Sequence, residues 1–290
     1  MTGAATELRA MMQSKRREVA AATRMMPARA RSTCLRIPAP FHLADKDIRN
    51  TMSAREQLHR DGYALLRQAI PMAWLAELRA AFDAGVRPSD QWPVPRGAGW
   101  RYALLDEEPM IQAVCRLPQV LAVVGELIGE RFFLAQVEGR EPLAGAGHQR
   151  LHRDLSEQRP GDIAHVMAYF DDYGPENGAT RIVPASHRPK PDEPPFDLDD
   201  ESNTVQLCGS AGDILVFDVD LVHAGSLNRL GTRRRSILIS YCAETLYASY
   251  LPTRSLRGIR MGASERFEPD DFAWGSADRT AGACLGSAEA

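Results

Sequence analysis

Leu151-His152-Arg153-Asp154 places an imidazole and a carboxylate two residues apart. In an extended chain alternate side chains share a face, so His152 and Asp154 point together while Arg153 points away. Two ligands do not hold an iron ion. A third has to arrive from another segment, and His223 is the best-placed candidate. It follows Asp213-Ile214-Leu215-Val216-Phe217, an apolar run of strand length that can deliver a side chain at its end. Two histidines and one carboxylate on one face of a metal leave its other positions open, the donor set of non-haem Fe(II) chemistry.

The His-x-Asp pattern is weak evidence alone, because His59-Arg60-Asp61 repeats it. That second copy closes a helical stretch just before Gly62 and the short strand Tyr63-Ala64-Leu65-Leu66, so His59 is expected at the surface or in a cap. His148 reaches a metal only if the strand register slips. His187, past a strand beside Pro184, is expected at the surface.

The 290 residues, 44% of them hydrophobic, suffice for one large core or two modest ones. A net charge of −3 with scattered Lys and Arg leaves no nucleic-acid footprint. Five cysteines, an odd number without paired short spacings, argue against a disulfide framework and a zinc site and suit a reducing cytoplasm. Apolar runs such as Val120-Leu121-Ala122-Val123-Val124 fall short of the ~20 residues that cross a bilayer, so no membrane partner is expected. The sequence carries no signal of oligomeric state.

Helical spacing recurs at Met72, Leu75, Leu78, Ala81 and Phe82, and again over residues 110–115 and 119–128. A Pro- and Gly-rich loop, 87–99, precedes Trp100-Arg101-Tyr102, whose first two residues are candidates for a substrate wall. From Arg131 the pattern changes to strands, expected at 132–137, 149–154, 163–170, 179–183, 204–208, 213–217 and 236–241. Seven short strands parted by Gly, Pro, Asn and Asp clusters suggest a double-sheet jelly roll with helices packed before it, an α+β chain with a mainly β core. Met167 and Tyr169 share a strand face and are candidates for the barrel mouth. Organisation begins at Met52, so residues 1–51 are expected to form an N-terminal extension, 52–247 the jelly-roll domain with its helical support, and 248–290 a tail serving as lid or oligomer contact.

Beyond His223 the chain runs Arg233-Arg234-Arg235-Ser236-Ile237-Leu238-Ile239. An arginine on a strand following the last ligand can hold the far carboxylate of a dicarboxylate through a bidentate fork. Arg234 and Ser236 share one face, so Ser236 can add a hydroxyl donor. The three consecutive arginines leave the choice open at this point.

Several pieces now stand in order: His152-x-Asp154, Asn177-Gly178 leading to Val183-Pro184-Ala185-Ser186-His187, Gly212-Asp213, then His223, Asn228 and Arg234. Together they resemble the phytanoyl-CoA dioxygenase family of Fe(II)/2-oxoglutarate-dependent oxygenases over about residues 55–245. The resemblance implies a double-stranded β-helix, cupin-like in shape, with Fe(II) held by His152, Asp154 and His223. It also implies 2-oxoglutarate held by the arginine eleven residues past the last histidine, which is Arg234. O2 is the other cosubstrate, and the implied reaction is hydroxylation of an unactivated C–H bond of a small organic molecule, an amino acid, acyl compound or secondary metabolite, with succinate and CO2 as coproducts. Ala185 stands where the family often has Gly, a difference confined to a turn. Gln136, on the strand before the ligand segment, is a candidate for 2-oxoglutarate binding. Related halogenases have a small residue in place of the carboxylate, so Asp154 predicts no halogenation.

Three other function classes share parts of this pattern. His152-Arg153-Asp154-Leu155 mimics a kinase catalytic loop, but Arg159 stands where that loop needs Asn and no Gly-rich phosphate loop precedes it. A cupin-like metalloenzyme without 2-oxoglutarate has the triad but no use for Arg234. A non-catalytic jelly-roll binding protein lacks stoichiometric iron.

Overall fold

A computed structural model describes residues 53–92, 94, 96–154, 161–188, 196–256 and 266–267. The expected extension 1–51, Arg159 and most of the tail lie outside the described residues.

Helix α1 (Ala54–Asp61) begins at a capping box: the Ser53 hydroxyl accepts from the Glu56 amide while the Glu56 carboxylate accepts from the Ser53 amide. It ends at Gly62, which has φ +83°. A Cβ there would lie 2.6 Å from Nδ1 of His187. His187 is therefore buried against the helix end and is not the surface residue its flanking Pro184 suggested. Strand β1 (Tyr63–Leu66) follows, then α2 (Leu75–Gly85), entered through a 3-10 turn. The expected loop after it contains the short strand β2 (Val86–Arg87) and a 3-10 turn before β3 (Trp100–Ala103). Helices α3 (Pro109–Cys115) and α4 (Pro118–Ile128) each start with Pro in the first turn, where its missing N–H costs nothing.

The strands are β4 (Phe132–Pro142), β5 (Ile163–Tyr169), β6 (Thr180–Ile182), β7 (Val205–Leu207), β8 (Ile214–Asp218), β9 (His223–Ala224), β10 (Ser236–Ala243) and β11 (Arg266–Phe267). They form two antiparallel sheets. The larger runs β1-β8-β5-β10-β4-β3-β2, with β11 on β4, and the smaller runs β7-β6-β9. This is the double-stranded β-helix architecture, with helices on one side.

Alternation along the central strands divides the core. Ile214 and Val216 of β8, Val166 of β5 and Ile237 and Ile239 of β10 join Leu78, Phe82, Ile111 and Val120 of the helices in one cluster. Leu215, Phe217 and Tyr169 point the other way and meet Ile182 and Leu207 of the smaller sheet. Both faces of β8 are thus covered, which is why this strand reads as an apolar run. Gly139 lets the helix layer close: a Cβ there would lie 2.7 Å from the Ala103 Cβ and 2.9 Å from Phe82.

The strand expected at 149–154 is not regular; His152 alone makes an isolated bridge, to His223. Asp154 donates its amide to the Val219 carbonyl at 3.2 Å, so the segment is held at intervals while keeping extended alternation. After β10, Tyr247 and Tyr250 meet Phe133 edge-on at 5.0 and 5.6 Å. Among the described residues no single helix is long and apolar enough to cross a membrane. The α3–α4 pair bends by 48°. Of the described cysteines, Cys115 and Cys242 are buried and Cys208 is exposed.

Candidate metal centre and its cavity

The His152 and His223 amides each donate to the other's carbonyl, at 3.0 and 2.9 Å. That pairing brings the rings to a centroid separation of 4.5 Å. Asp154, two residues on, joins them, and one ligand atom from each of the three lies within 4.8 Å of the others. The two Nδ1 atoms lie 2.9 Å from the carbonyl oxygens of Arg150 and Leu221. Donation from Nδ1–H to those carbonyls fixes the tautomer that leaves each Nε2 with a free lone pair. The Nε2 atoms of His152 and His223 lie 3.8 and 3.6 Å from Asp154 carboxylate oxygens.

Protonation suits metal binding. Burial pushes the His223 imidazolium down to about 4, with His152 and His165 adding to the effect against the pull of Asp154. Burial works to raise the Asp154 carboxyl, but the hydrogen bond from His165 and the surrounding imidazoles outweigh it and hold the group well below the usual carboxylate range. At neutral pH His223 is therefore a neutral imidazole and Asp154 an anion, and with the His152 ring they make a donor set that fits a divalent first-row metal. His59 and His148 are exposed and stand outside the cluster.

The arginine run divides by strand alternation. Arg233 turns outward to Asp83 and Glu141, and Arg235 to Asp83 and Asp171. Arg234 turns inward and is only 1% exposed. Its Nη1 donates to the Gly178 carbonyl, and its guanidinium carbon sits 4.5 Å from the Tyr173 ring centre and 5.5 Å from that of Trp100. Its Nε is buried without a hydrogen-bond partner. A buried guanidinium with a donor to spare fits a carboxylate ligand. Asn177-Gly178 is thus more than a turn. Gly178 has φ +90°, and a Cβ there would lie 2.8 Å from the Ser226 carbonyl oxygen. Asn228 holds the intervening loop by donating to the Pro142 and Thr232 carbonyls and accepting from the Gly231 amide.

His152, Asp154, His223, Arg234 and Ser236 line one cavity of about 340 Å³. Trp100 and Met167 line it too. Three candidates do not. Arg101 alternates outward and pairs with Glu141 at 3.1 Å. Tyr169 is fully buried and stacks on Tyr173 at 3.7 Å, behind the wall. Gln136 pairs with Ser240, and β4 gives the wall Glu138 and Arg140 instead.

Those two residues escaped the sequence reading. The buried Glu138 carboxylate accepts from Arg140 Nε at 2.6 Å and pairs with Arg96. His165 was also missed, although the alternation that groups Met167 with Tyr169 places it on the same face. Its Nε2 lies 3.2 Å from Asp154 Oδ2.

A family model, Phytanoyl-CoA dioxygenase (PhyH), matches residues 58–236, more than half of the chain and all of these groups. The chain belongs to the phytanoyl-CoA dioxygenase family. Among curated relatives, "Dioxygenase FUM3" of Gibberella moniliformis is 27% identical over 206 residues, covering 68% of this chain and 66% of the relative. The chain spans about half the length of two other curated relatives that it matches, each 30% identical over 149 residues. Its fold is shared by the epimerase SnoN from nogalamycin biosynthesis, described as α-ketoglutarate dependent (19% identity, TM-score 0.54, 66% of this chain and 82% of that one). It is shared also by HygX of Streptomyces hygroscopicus, solved with nickel, 2-oxoglutarate and hygromycin B (14% identity, TM-score 0.55, 66% and 88%).

Proposed function

We propose that this chain is an Fe(II)/2-oxoglutarate-dependent dioxygenase that hydroxylates an unactivated C–H bond of a small organic molecule, yielding succinate and CO2 as coproducts. The observation that carries the reading is the meeting of two constellations in one cavity: the His152–Asp154–His223 cluster and the inward Arg234. A metal-only enzyme or a binding module has no need of the second.

His152 and His223 would hold the ion through Nε2, and Asp154 through its carboxylate. Fe(II) bound there, together with 2-oxoglutarate, supplies oxygen activation coupled to oxidative decarboxylation. The chain's own residues bind and orient. Arg234 takes the carboxylate remote from the metal, and Ser236, 1% exposed and on the same wall, adds a hydroxyl. Trp100 and Tyr173 flank the guanidinium and exclude water, which strengthens its grip. Met167, Phe217 and Leu238 give the cavity its apolar side, where a C–H bond can approach without a competing hydration shell.

Hydroxylation is the default outcome for the class, and the named epimerase and carbocyclase among the fold neighbours make product analysis part of the test. The protein, reconstituted with Fe(II), should form succinate from 2-oxoglutarate in air, stimulated by members of a small-molecule panel, with one oxygen atom gained by the stimulating compound. Purification without metal-binding capacity, or turnover unaffected by His223→Ala, would overturn the proposal.

A further inference from the structure

Resting on that reading, we infer that His165 is a positioning residue for Asp154, holding one carboxylate oxygen so that the other alone serves the metal. Three segments converge here. Ser240 of β10 and His165 of β5 are directly paired across the sheet, and Oγ of Ser240 lies 2.9 Å from Nδ1 of His165. On the opposite side of the ring, Nε2 is 3.2 Å from Asp154 Oδ2.

A hydroxyl donating to Nδ1 fixes the imidazole as its Nε2–H tautomer, and that N–H then donates to Oδ2. The ring has little freedom to do otherwise. It is 8% exposed, and the Phe217 ring lies 5.4 Å from it and 5.1 Å from the His223 ring, wedged beside both. Asp154 itself lies outside any regular strand, with its side chain 38% exposed. Its carboxylate therefore lacks the restraint that a sheet ladder and close packing would impose.

The chemistry gives this restraint a purpose. A carboxylate that turns both oxygens to a metal takes up a coordination position. The proposed reaction needs the positions left by the three protein ligands for a chelating keto acid and for oxygen. Oδ2 lies 3.6 Å from His223 Nε2 and Oδ1 3.8 Å from His152 Nε2, so both oxygens face the ligand pair, and an N–H bond to Oδ2 disfavours that turn and leaves Oδ1 as the ligand. Groups that orient metal ligands in this way typically alter metal affinity 10- to 100-fold when removed.

Co(II) binding to the full-length protein tests the inference independently of turnover. His165→Phe should weaken Co(II) binding by about 10- to 100-fold and alter the visible Co(II) spectrum as the carboxylate changes its mode. His165→Gln, which keeps an N–H donor, should recover most of the loss. Ser240→Ala, which leaves the ring in place without its tautomer partner, should shift both measurements the same way by less. Unfolding midpoints of metal-free and Co(II)-loaded forms separate this role from a structural one: the loss should be larger in the loaded protein, and an equal loss in both would overturn the inference. A third hyperfine-shifted imidazole N–H resonance that vanishes in His165→Phe would make His165 a ligand and overturn it as well. Should His165→Phe fail to fold, wild-type affinity and spectrum in Ser240→Ala, together with Co(II) binding in His165→Gln weakened by about 10-fold or more, would be decisive against it. A wild-type protein that binds no equivalent of Co(II) would instead sink the proposed function.

Discussion

The guanidinium of Arg234 lies 4.5 Å from the ring centre of Tyr173, with Nη1 bound to the Gly178 carbonyl and Nε left free of protein partners. Such a group, desolvated by folding and incompletely satisfied, favours any ligand that brings a carboxylate. A charge-assisted contact contributes about 1.5–3 kcal/mol, so Arg234→Leu should weaken 2-oxoglutarate binding by roughly 10- to 150-fold. Arg233→Ala, which removes an outward arginine paired with Asp83 and Glu141, should leave the cosubstrate's apparent affinity within about twofold, because Arg233 does not line the cavity that Arg234 enters. Titration of succinate formation against 2-oxoglutarate compares the two. A reversed ranking would mean that the wrong arginine has been assigned.

Gly178 should be nearly as sensitive as Arg234 although it offers no side chain. At φ +90° an L-residue is strained, and the added Cβ would meet the Ser226 carbonyl oxygen at 2.8 Å with no flexible atom to give way. Gly178→Ala should lower stability by about 1–3 kcal/mol and also weaken 2-oxoglutarate binding, because the displaced carbonyl is the one that anchors Arg234. Thermal unfolding and cosubstrate titration on the same preparation check both effects. A stability loss with unchanged 2-oxoglutarate affinity would dissociate the turn from the site.

The sequence carries the pieces that depend on local period. Apolar spacing places α2 to α4, and alternation along β8 divides Leu215 and Phe217 from Ile214 and Val216. What it lacks is partner identity at long range. Nothing near Arg233 or Arg235 announces that Asp83, some 150 positions away, holds both outside and leaves Arg234 to turn in. Gln136 illustrates a different failure. It shares a strand with Glu138 and Arg140, but which of the three reaches the cavity depends on how β4 lies against β10, including a register shift between Ser240 and Tyr241. His187 is buried because Gly62 has no side chain to keep it out, a pairing that flanking residues do not reveal. His165 was legible by alternation; its partners Ser240 and Asp154 were not.

Asp154 carries a prediction about reaction type. Its carboxylate stays ionised because the His165 hydrogen bond and the neighbouring imidazoles outweigh burial. An anion tethered at that position leaves no room for a free halide beside His152 and His223. Turnover in chloride-containing buffer should therefore give no chlorinated product by mass spectrometry, and Asp154→Ala should lose most of its metal affinity. Chlorination by the wild-type protein would refute the assignment of Asp154 as a ligand.

Asp218 supplies a pH dependence separate from the metal cluster. Burial pushes its carboxyl up to about 6; Asp220 and Asp162 add to the rise, while the Asp220 amide, donating at 2.9 Å, and the charge of Arg188 oppose it. The folded-state value lies above that of an unfolded aspartate near 3.9, so between about pH 4 and 6 the native state holds the proton more tightly than the unfolded chain. Stability from this group is thus fully present below about pH 4 and lost as pH rises through about 6. Asp218→Asn keeps the oxygen that accepts from the Asp220 amide and cannot ionise. It should stabilise the protein at pH 8 by on the order of 1–3 kcal/mol and change little at pH 4. Denaturant unfolding of both forms at the two pH values measures the difference, and an equal effect at both would show that Asp218 is not held protonated by the fold.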